Sequence, residues 1–232
     1  MRIGFGTRAW RALGRVALAQ DCVLCGAGSG DDLLCPGCRA DLPELRDVCP
    51  RCALPSPGAA PCWACLVDPP YFDRTVAVWR YEFPCDRLVQ ALKYRARLPI
   101  AEFFARALAT QLRGRVDLVV PMPLHRSRLA ERGFNPSAEI ARALVALTGH
   151  ALARDAARRV RRTLPQAELP LDERAANVRG AFACIRDVQG MRIAVVDDVM
   201  TTGTSLNELA RALKAAGAAG VENWVVARTL LD

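Results

Sequence analysis

The rhythm of apolar and polar residues changes along this chain, and the change predicts its elements. "RTVAVWRY" (74–81) reads as a strand. "PCDRLVQALKYR" (84–95) opens on Pro-Cys-Asp and sets Leu88, Val89 and Leu92 on one side, which predicts a helix. Residues 99–113, rich in Ala and Phe, predict another. "VDLVVPMP" (116–123) is a buried strand stopped by proline. "NPSAEIARALVALTG" (135–149) has a proline near its start and a glycine at its end, the frame of a helix. "MRIAVVDDV" (191–199) is an apolar strand, "TSLNELARALKAAGA" (204–218) a helix with a glycine stop, and "VENWVVARTL" (221–230) a last strand. Strands alternating with helices predict an α/β fold, with a mostly parallel sheet flanked by helices. Ligands of such sheets bind beyond the carboxyl ends of the strands.

Before residue 70 the pattern is different. "MRIGFGTRAWRALGRVALAQ" (1–20) is basic and places Phe5, Trp10, Leu13, Val16 and Ala17 where they can share a helical face. It lacks a continuous apolar stretch before a small-residue cleavage site, so a packed helix or frayed leader is expected rather than a signal peptide. No run of about twenty apolar residues predicts a membrane span. A cytoplasmic location is expected.

Residues 21–68 are dominated by cysteine. Eight of the ten cysteines form four C-x-x-C pairs: Cys22/Cys25, Cys35/Cys38, Cys49/Cys52 and Cys62/Cys65. The unit C-x2-C-x9-C-x2-C occurs twice, 27 residues apart. Two residues between cysteines let both thiolates reach one ion, and two such knuckles complete a tetrahedral S4 shell suited to zinc. Disulfides would need an oxidising compartment, and a redox motif would need one pair rather than four. Two structural zinc ions are expected, one per repeat as the simplest pairing. A cross-braced pairing, or one metal-free site, stays open. Four sulfurs leave no open coordination position, so the zinc would be structural. Cys85 and Cys184 lie outside the pattern and read as small apolar residues.

Charge sharpens the picture of the remainder, residues 71–232. The chain carries a formal net charge of +8. Residues 74–162 hold 18 basic and 7 acidic residues, whereas the flanking thirds are slightly acidic. Such a field attracts phosphates, on a small molecule or on nucleic acid. Arginines on solvated helix faces are the plainer alternative. For Arg158, Arg159, Arg161 and Arg162, crowding favours an anionic partner.

The most specific chemistry lies in "VVDDVMTTGTS" (195–205). Asp197 and Asp198 end an apolar strand, and Thr201, Thr202, Gly203, Thr204 and Ser205 turn into the next helix. Backbone N–H groups at a helix start cradle an anion, Gly203 permits close approach, and the hydroxyls add donors. Two carboxylates beside a phosphate make sense if they accept hydrogen bonds from vicinal sugar hydroxyls or approach a magnesium ion through water. The ligand so defined is a sugar phosphate with free hydroxyls.

This stretch closely resembles the phosphoribosyl pyrophosphate (PRPP) signature of type I phosphoribosyltransferases. Together with "LVQALKYR" (88–95), "VVPMPLHRSRLAERGFNPSAEIAR" (119–142), "RRTLPQAELPLDERAANVRGAF" (161–182) and the doubled cysteine unit, it resembles the ComF family over residues 20–230. That family joins an amino-terminal double zinc ribbon to a phosphoribosyltransferase-like domain, and its founding members are linked to DNA uptake in natural competence. The resemblance implies that Asp197 and Asp198 hold ribose hydroxyls as the catalytic pair. It implies that Val199 and Thr201–Ser205 bind PRPP, the loop around its 5′-phosphate, with Mg2+ accompanying the ligand. His125, Arg126, Arg128 and Arg132 become candidate pyrophosphate contacts. Arg162, with Arg161, Thr163 and Gln166, falls where related enzymes have a closing loop. Lys93 and Tyr94 lie in a family motif with no role attached. Pro136 departs from the glutamine that many relatives carry after "RGFN". Phe134 reads as a core anchor, His125 as an exposed loop residue, and Asp172/Glu173 as a helix start.

Two classes of function follow. One is a transferase acting on PRPP, with an acceptor base the sequence does not name. The other is a single-stranded nucleic-acid-binding module in which the PRPP site is regulatory or inactive.

Overall fold

The computed structural model describes residues 20–161 and 173–230. The expectations for residues 1–19 and for Arg162, Thr163, Gln166 and Asp172 lie outside the described residues.

The cysteine repeat folds as a structural repeat. In the first unit β1 (Gln20–Asp21) pairs antiparallel with β2 (Gly28–Gly30), and α1 (Pro36–Ala40) follows. The second unit ends in α2 (Trp63–Val67). Each first knuckle closes the same way: the Gly26 amide donates to Cys22 O and the Ala53 amide to Cys49 O, both at 2.9 Å. The closing residue has positive φ, 75° at Gly26 and 56° at Ala53. Each second knuckle starts a short helix, with Cys35 and Cys62 as N-caps.

The rest of the described chain forms β3 (Arg74–Arg80), α3 (Cys85–Arg95), α4 (Pro99–Gln111), β4 (Leu118–Pro121), α5 (Arg126–Arg132) and α6 (Pro136–Thr148). It continues through β5 (Ala157–Arg159), α7 (Glu173–Val178), β6 (Phe182–Cys184), β7 (Arg192–Met200), α8 (Thr204–Ala215) and β8 (Gly220–Arg228). Strands β3, β8, β7 and β4 form one parallel sheet in that order, and a bridge from Val119 to Leu152 adds backbone at the β4 edge.

Alternate residues of β7 feed opposite cores. Ala194 and Val196 meet Leu88, Leu92, Phe104, Ile140 and Leu144 from α3, α4 and α6. Ile193 and Val195 meet Leu206, Leu209 and Leu213 of α8. Both faces of the central strands are covered, which explains their unbroken apolar sequence. The eight main elements lie where the sequence predicts them. The short helix α5 and the antiparallel pair β5–β6 are additional.

The ribbons pack on the β3 side of the sheet. The Arg80 amide donates to Pro43 O at 2.8 Å and the Thr75 amide to Pro50 O at 3.0 Å. Cys22, Leu34 and Leu42 join the α4 core, whereas Cys49, Cys52 and Cys65 join the α8 core. The two repeats thus straddle the edge strand, one on each face.

Candidate functional site

The sulfurs of Cys22, Cys25, Cys35 and Cys38 lie within 4.8 Å of one another, and so do those of Cys49, Cys52, Cys62 and Cys65. Pairing is therefore within each repeat, and the cross-braced alternative falls away. Cys25 and Cys35 sulfurs are 3.7 Å apart, Cys52 and Cys62 sulfurs 3.6 Å. Zn–S bonds of about 2.3 Å in a tetrahedron require edges of about 3.8 Å, so both tetrads fit zinc. Burial disfavours the Cys22 thiolate, but backbone N–H groups of Cys35, Cys25 and Leu24 outweigh it and bring the thiol down to about 6. The same balance, with N–H groups of Cys52, Cys62 and Arg51, brings Cys49 to about 7. Among the described residues these are the only clusters of this kind. Cys85 is buried, and burial pushes its thiol up to about 12, leaving an inert core residue. Cys184 is half-buried and donates to Arg186 O at 3.2 Å.

Beyond the carboxyl end of β7 the chain builds a second site. Asp197 Oδ1 accepts from Ser137 Oγ at 2.8 Å and from the Asp198 amide at 2.9 Å. Ser137 is buried in the first turn of α6, which Asn135 caps through Oδ1 while its Nδ2 donates to Met122 O. The α6 start is thereby tied both to the end of β4 and to Asp197. Lys93 Nζ, from the last turn of α3, lies 2.7 Å from Asp198 Oδ1, with both side chains largely buried. Burial and the adjacent Asp198 charge push the Asp197 carboxyl up to about 7, against the pull of Lys93 and Ser137. Asp198 raises Lys93 above its ordinary value despite burial.

The turn that follows suits an anion. Gly203 has φ 82° and starts α8, and a Cβ there would lie 2.5 Å from Met200 Cε. Glycine suits that left-handed conformation, and any Cβ would have to displace the Met200 terminal methyl. Thr202 and Thr204 hydroxyls lie 2.9 Å apart, and the Thr204 amide donates weakly to Thr202 Oγ1. Val199 does not face this turn; its side chain packs on the α3–α6 core.

The basic candidates divide between two cavities. One, of about 350 Å³, is lined by Lys93, Tyr94, Arg128, Arg132 and Phe134 among others. There the Arg132 guanidinium stacks 5.4 Å from the centre of the Tyr94 ring. The other, of about 510 Å³, includes His125, Arg126, Arg154, Arg158 and Arg159. Burial and the Arg128 charge lower Arg159, and Asp197 opposes them, which puts the Arg159 guanidinium in the field of Asp197. His125 is not the exposed loop residue expected. It is half-buried and caps α5, accepting from the Ser127 amide at 3.3 Å, because the chain turns into a helix directly after β4. Phe134 packs on the core as expected, and α7 starts at Glu173. Sequence reasoning assigned no role to Lys93 and overlooked Ser137. The signal available for Lys93 was its rarity, one of two lysines in the chain.

Residues 13–66 match the double zinc ribbon domain model, and residues 101–230 match the phosphoribosyl transferase domain model. "DNA utilization protein YhgH" of Salmonella typhimurium is 36% identical over 206 residues, covering 85% of this chain and 91% of that protein. The chain belongs to the ComF family. Other members are similar over comparable lengths. "Competence protein F" of Haemophilus influenzae is 28% identical over 84% of this chain and 90% of its own, and "Competence protein ComFC" of Bacillus subtilis 27% over 86% and 85%. Among solved structures, the glutamine PRPP amidotransferase of B. subtilis is 21% identical with a TM-score of 0.38. That match covers 53% of this chain and 25% of the amidotransferase. Within the ComF frame, the paired ribbons and the parallel sheet are the two expected parts, and both are present. No helix among the described residues is long and apolar enough to cross a membrane.

Proposed function

We propose that this chain binds PRPP or a closely related sugar phosphate, together with Mg2+, and that it serves DNA uptake or utilisation as its relatives' names indicate. One observation carries the reading: a carboxylate pair and a glycine-headed hydroxyl turn stand at the end of the same central strand, with Lys93 paired to Asp198 and Arg159 in the field of Asp197. In this reading Asp197 and Asp198 accept the ribose hydroxyls, and Thr201–Ser205 hold the 5′-phosphate. Lys93 compensates one carboxylate, so the pair tolerates the incoming phosphate charge. Arg128 and Arg132, in the cavity that Lys93 also lines, serve the pyrophosphate, for which guanidinium forks are suited, and His125 and Arg126, in the other cavity, are its further candidates. If transfer occurs, the protein supplies position and charge stabilisation for the leaving group rather than a covalent intermediate. Calorimetry with Mg2+ and PRPP tests binding. Measurable heat from the wild type, lost in Asp197→Asn/Asp198→Asn, supports the reading, and no heat from the wild type ends it. Pyrophosphate release across a panel of bases then tests transfer.

A second reading is direct binding of single-stranded DNA. The observation favouring it is the concentration of Arg126, Arg154, Arg158 and Arg159 around one cavity. Sequence-independent phosphate contact needs mainly such charge, and its affinity falls steeply with salt. Fluorescence anisotropy with a labelled oligonucleotide at several salt concentrations tests it. A missing or salt-insensitive signal removes this reading and leaves the first intact.

A further inference from the structure

Arg228 ends β8 and is 1% exposed, one of the largest fully buried side chains in the protein. No carboxylate pairs with it among the described residues. Its guanidinium instead faces backbone carbonyls on two sides. Nε donates to Cys52 O at 2.8 Å. Nη1 reaches Met200 O at 3.0 Å, Thr229 O at 2.7 Å and the carbonyl of Thr201. Cys52 is the second cysteine of the first knuckle in the second tetrad, and Met200–Thr201 is the point where β7 enters the phosphate turn. One fully buried side chain therefore spans from a metal knuckle to the anion loop.

The charge has a reason to be there. Burial acts against the cation, and the sulfurs of Cys52, Cys65 and Cys62 favour it. A zinc ion with four thiolates carries a net charge of minus two, so a guanidinium beside it is compensated without a carboxylate. The planar fork also matters, because an ammonium cannot reach acceptors on two opposite sides at once.

We propose that Arg228 is a positioning residue for the phosphate turn, and that the second zinc knuckle is the anchor against which it holds that turn. The ribbon nearest the site then contributes to sugar-phosphate affinity without touching the ligand. This rests on the sugar-phosphate reading of the turn, but its central observable does not require any ligand.

The test uses hydrogen exchange at Thr201–Ser205, zinc content and PRPP titration, on the full chain. Arg228→Lys keeps the charge and loses the span. The expected result is two zinc ions retained, exchange at Thr201–Ser205 at least tenfold faster, and PRPP affinity at least tenfold weaker. Wild-type chain treated with a chelator under reducing conditions should show the same local acceleration, with β7 residues Ile193–Val196 still protected. Two zinc ions with unchanged exchange in Arg228→Lys overturn the proposal. If Arg228→Lys does not fold, the chelated wild type decides: unchanged exchange at the turn, or loss of protection throughout the sheet, overturns it. A wild type that never binds PRPP refutes the ligand assignment alone, since the exchange comparison still stands.

Discussion

Replacing Lys93 by methionine isolates the electrostatics of the acidic pair. The substitution keeps most of the apolar stem and removes the ammonium 2.7 Å from Asp198 Oδ1. At an effective dielectric constant near 20, two unit charges about 3 Å apart attract by about 6 kcal/mol. Lys93 gives part of that back through its own burial, so the net loss should follow broken buried pairs, about 3–5 kcal/mol near neutrality. The loss should depend on pH with a definite sign. Asp197 has a folded value raised above its unfolded value of about 3.9, so the native state holds the extra proton and stability falls as pH rises through that window. Without Lys93 the Asp197 carboxyl titrates higher still, and the variant goes on losing stability where the wild type has levelled off. Urea denaturation at about pH 6 and 8.5 should show the gap between variant and wild type widening by about 2–3 kcal/mol, at 1.36 kcal/mol per pH unit per proton. Adding Asp198→Asn should recover most of the loss. A Lys93→Met chain within about 1 kcal/mol of wild type at both pH values would refute the argument, because it would mean that the pair is effectively solvated.

Three further outcomes are expected. Gly203→Ala should weaken PRPP binding about tenfold, since a left-handed alanine costs about 1–2 kcal/mol and its Cβ meets Met200, and calorimetry reads it directly. Glu208 accepts from the Gly180 amide at 2.7 Å and is held below its usual range chiefly by Arg211. Its contribution is therefore present above its unfolded value of about 4.3 and lost as pH falls, so Glu208→Gln should cost about 1–2 kcal/mol at pH 7 and flatten the acid limb of a denaturation profile. Metal analysis should return two zinc ions per chain, and a value near one would reject one of the two tetrads.

Much of the site was legible because its signals are local. The acidic pair, the glycine turn and the cysteine spacing each occupy a few consecutive residues, and short-range rules reach them. The eight main elements were likewise visible, since β7 and β8 are buried on both faces and the helices carry one apolar side. What escaped depends on contacts between distant segments. Lys93 meets Asp198 across more than a hundred residues, and only the packing of α3 against the sheet brings them together. Ser137 looks like an ordinary first-turn serine until α6 is set beside β7. Arg228 has no local signature, being a single cation at the end of an apolar strand. His125 was misplaced for a related reason: "PLHRS" carries no apolar period, so α5 was not predicted and its cap was read as a loop residue.

The placement of the ribbons has a consequence for handling the protein. Strand β3 is the outer strand of the parallel sheet, and its outward amides at Thr75 and Arg80 are occupied by Pro50 and Pro43 of the cysteine repeats. An uncovered, apolar outer strand is a template for pairing with another chain. Metal starvation during expression would therefore yield chains that associate through β3, and zinc in the growth medium becomes a determinant of solubility.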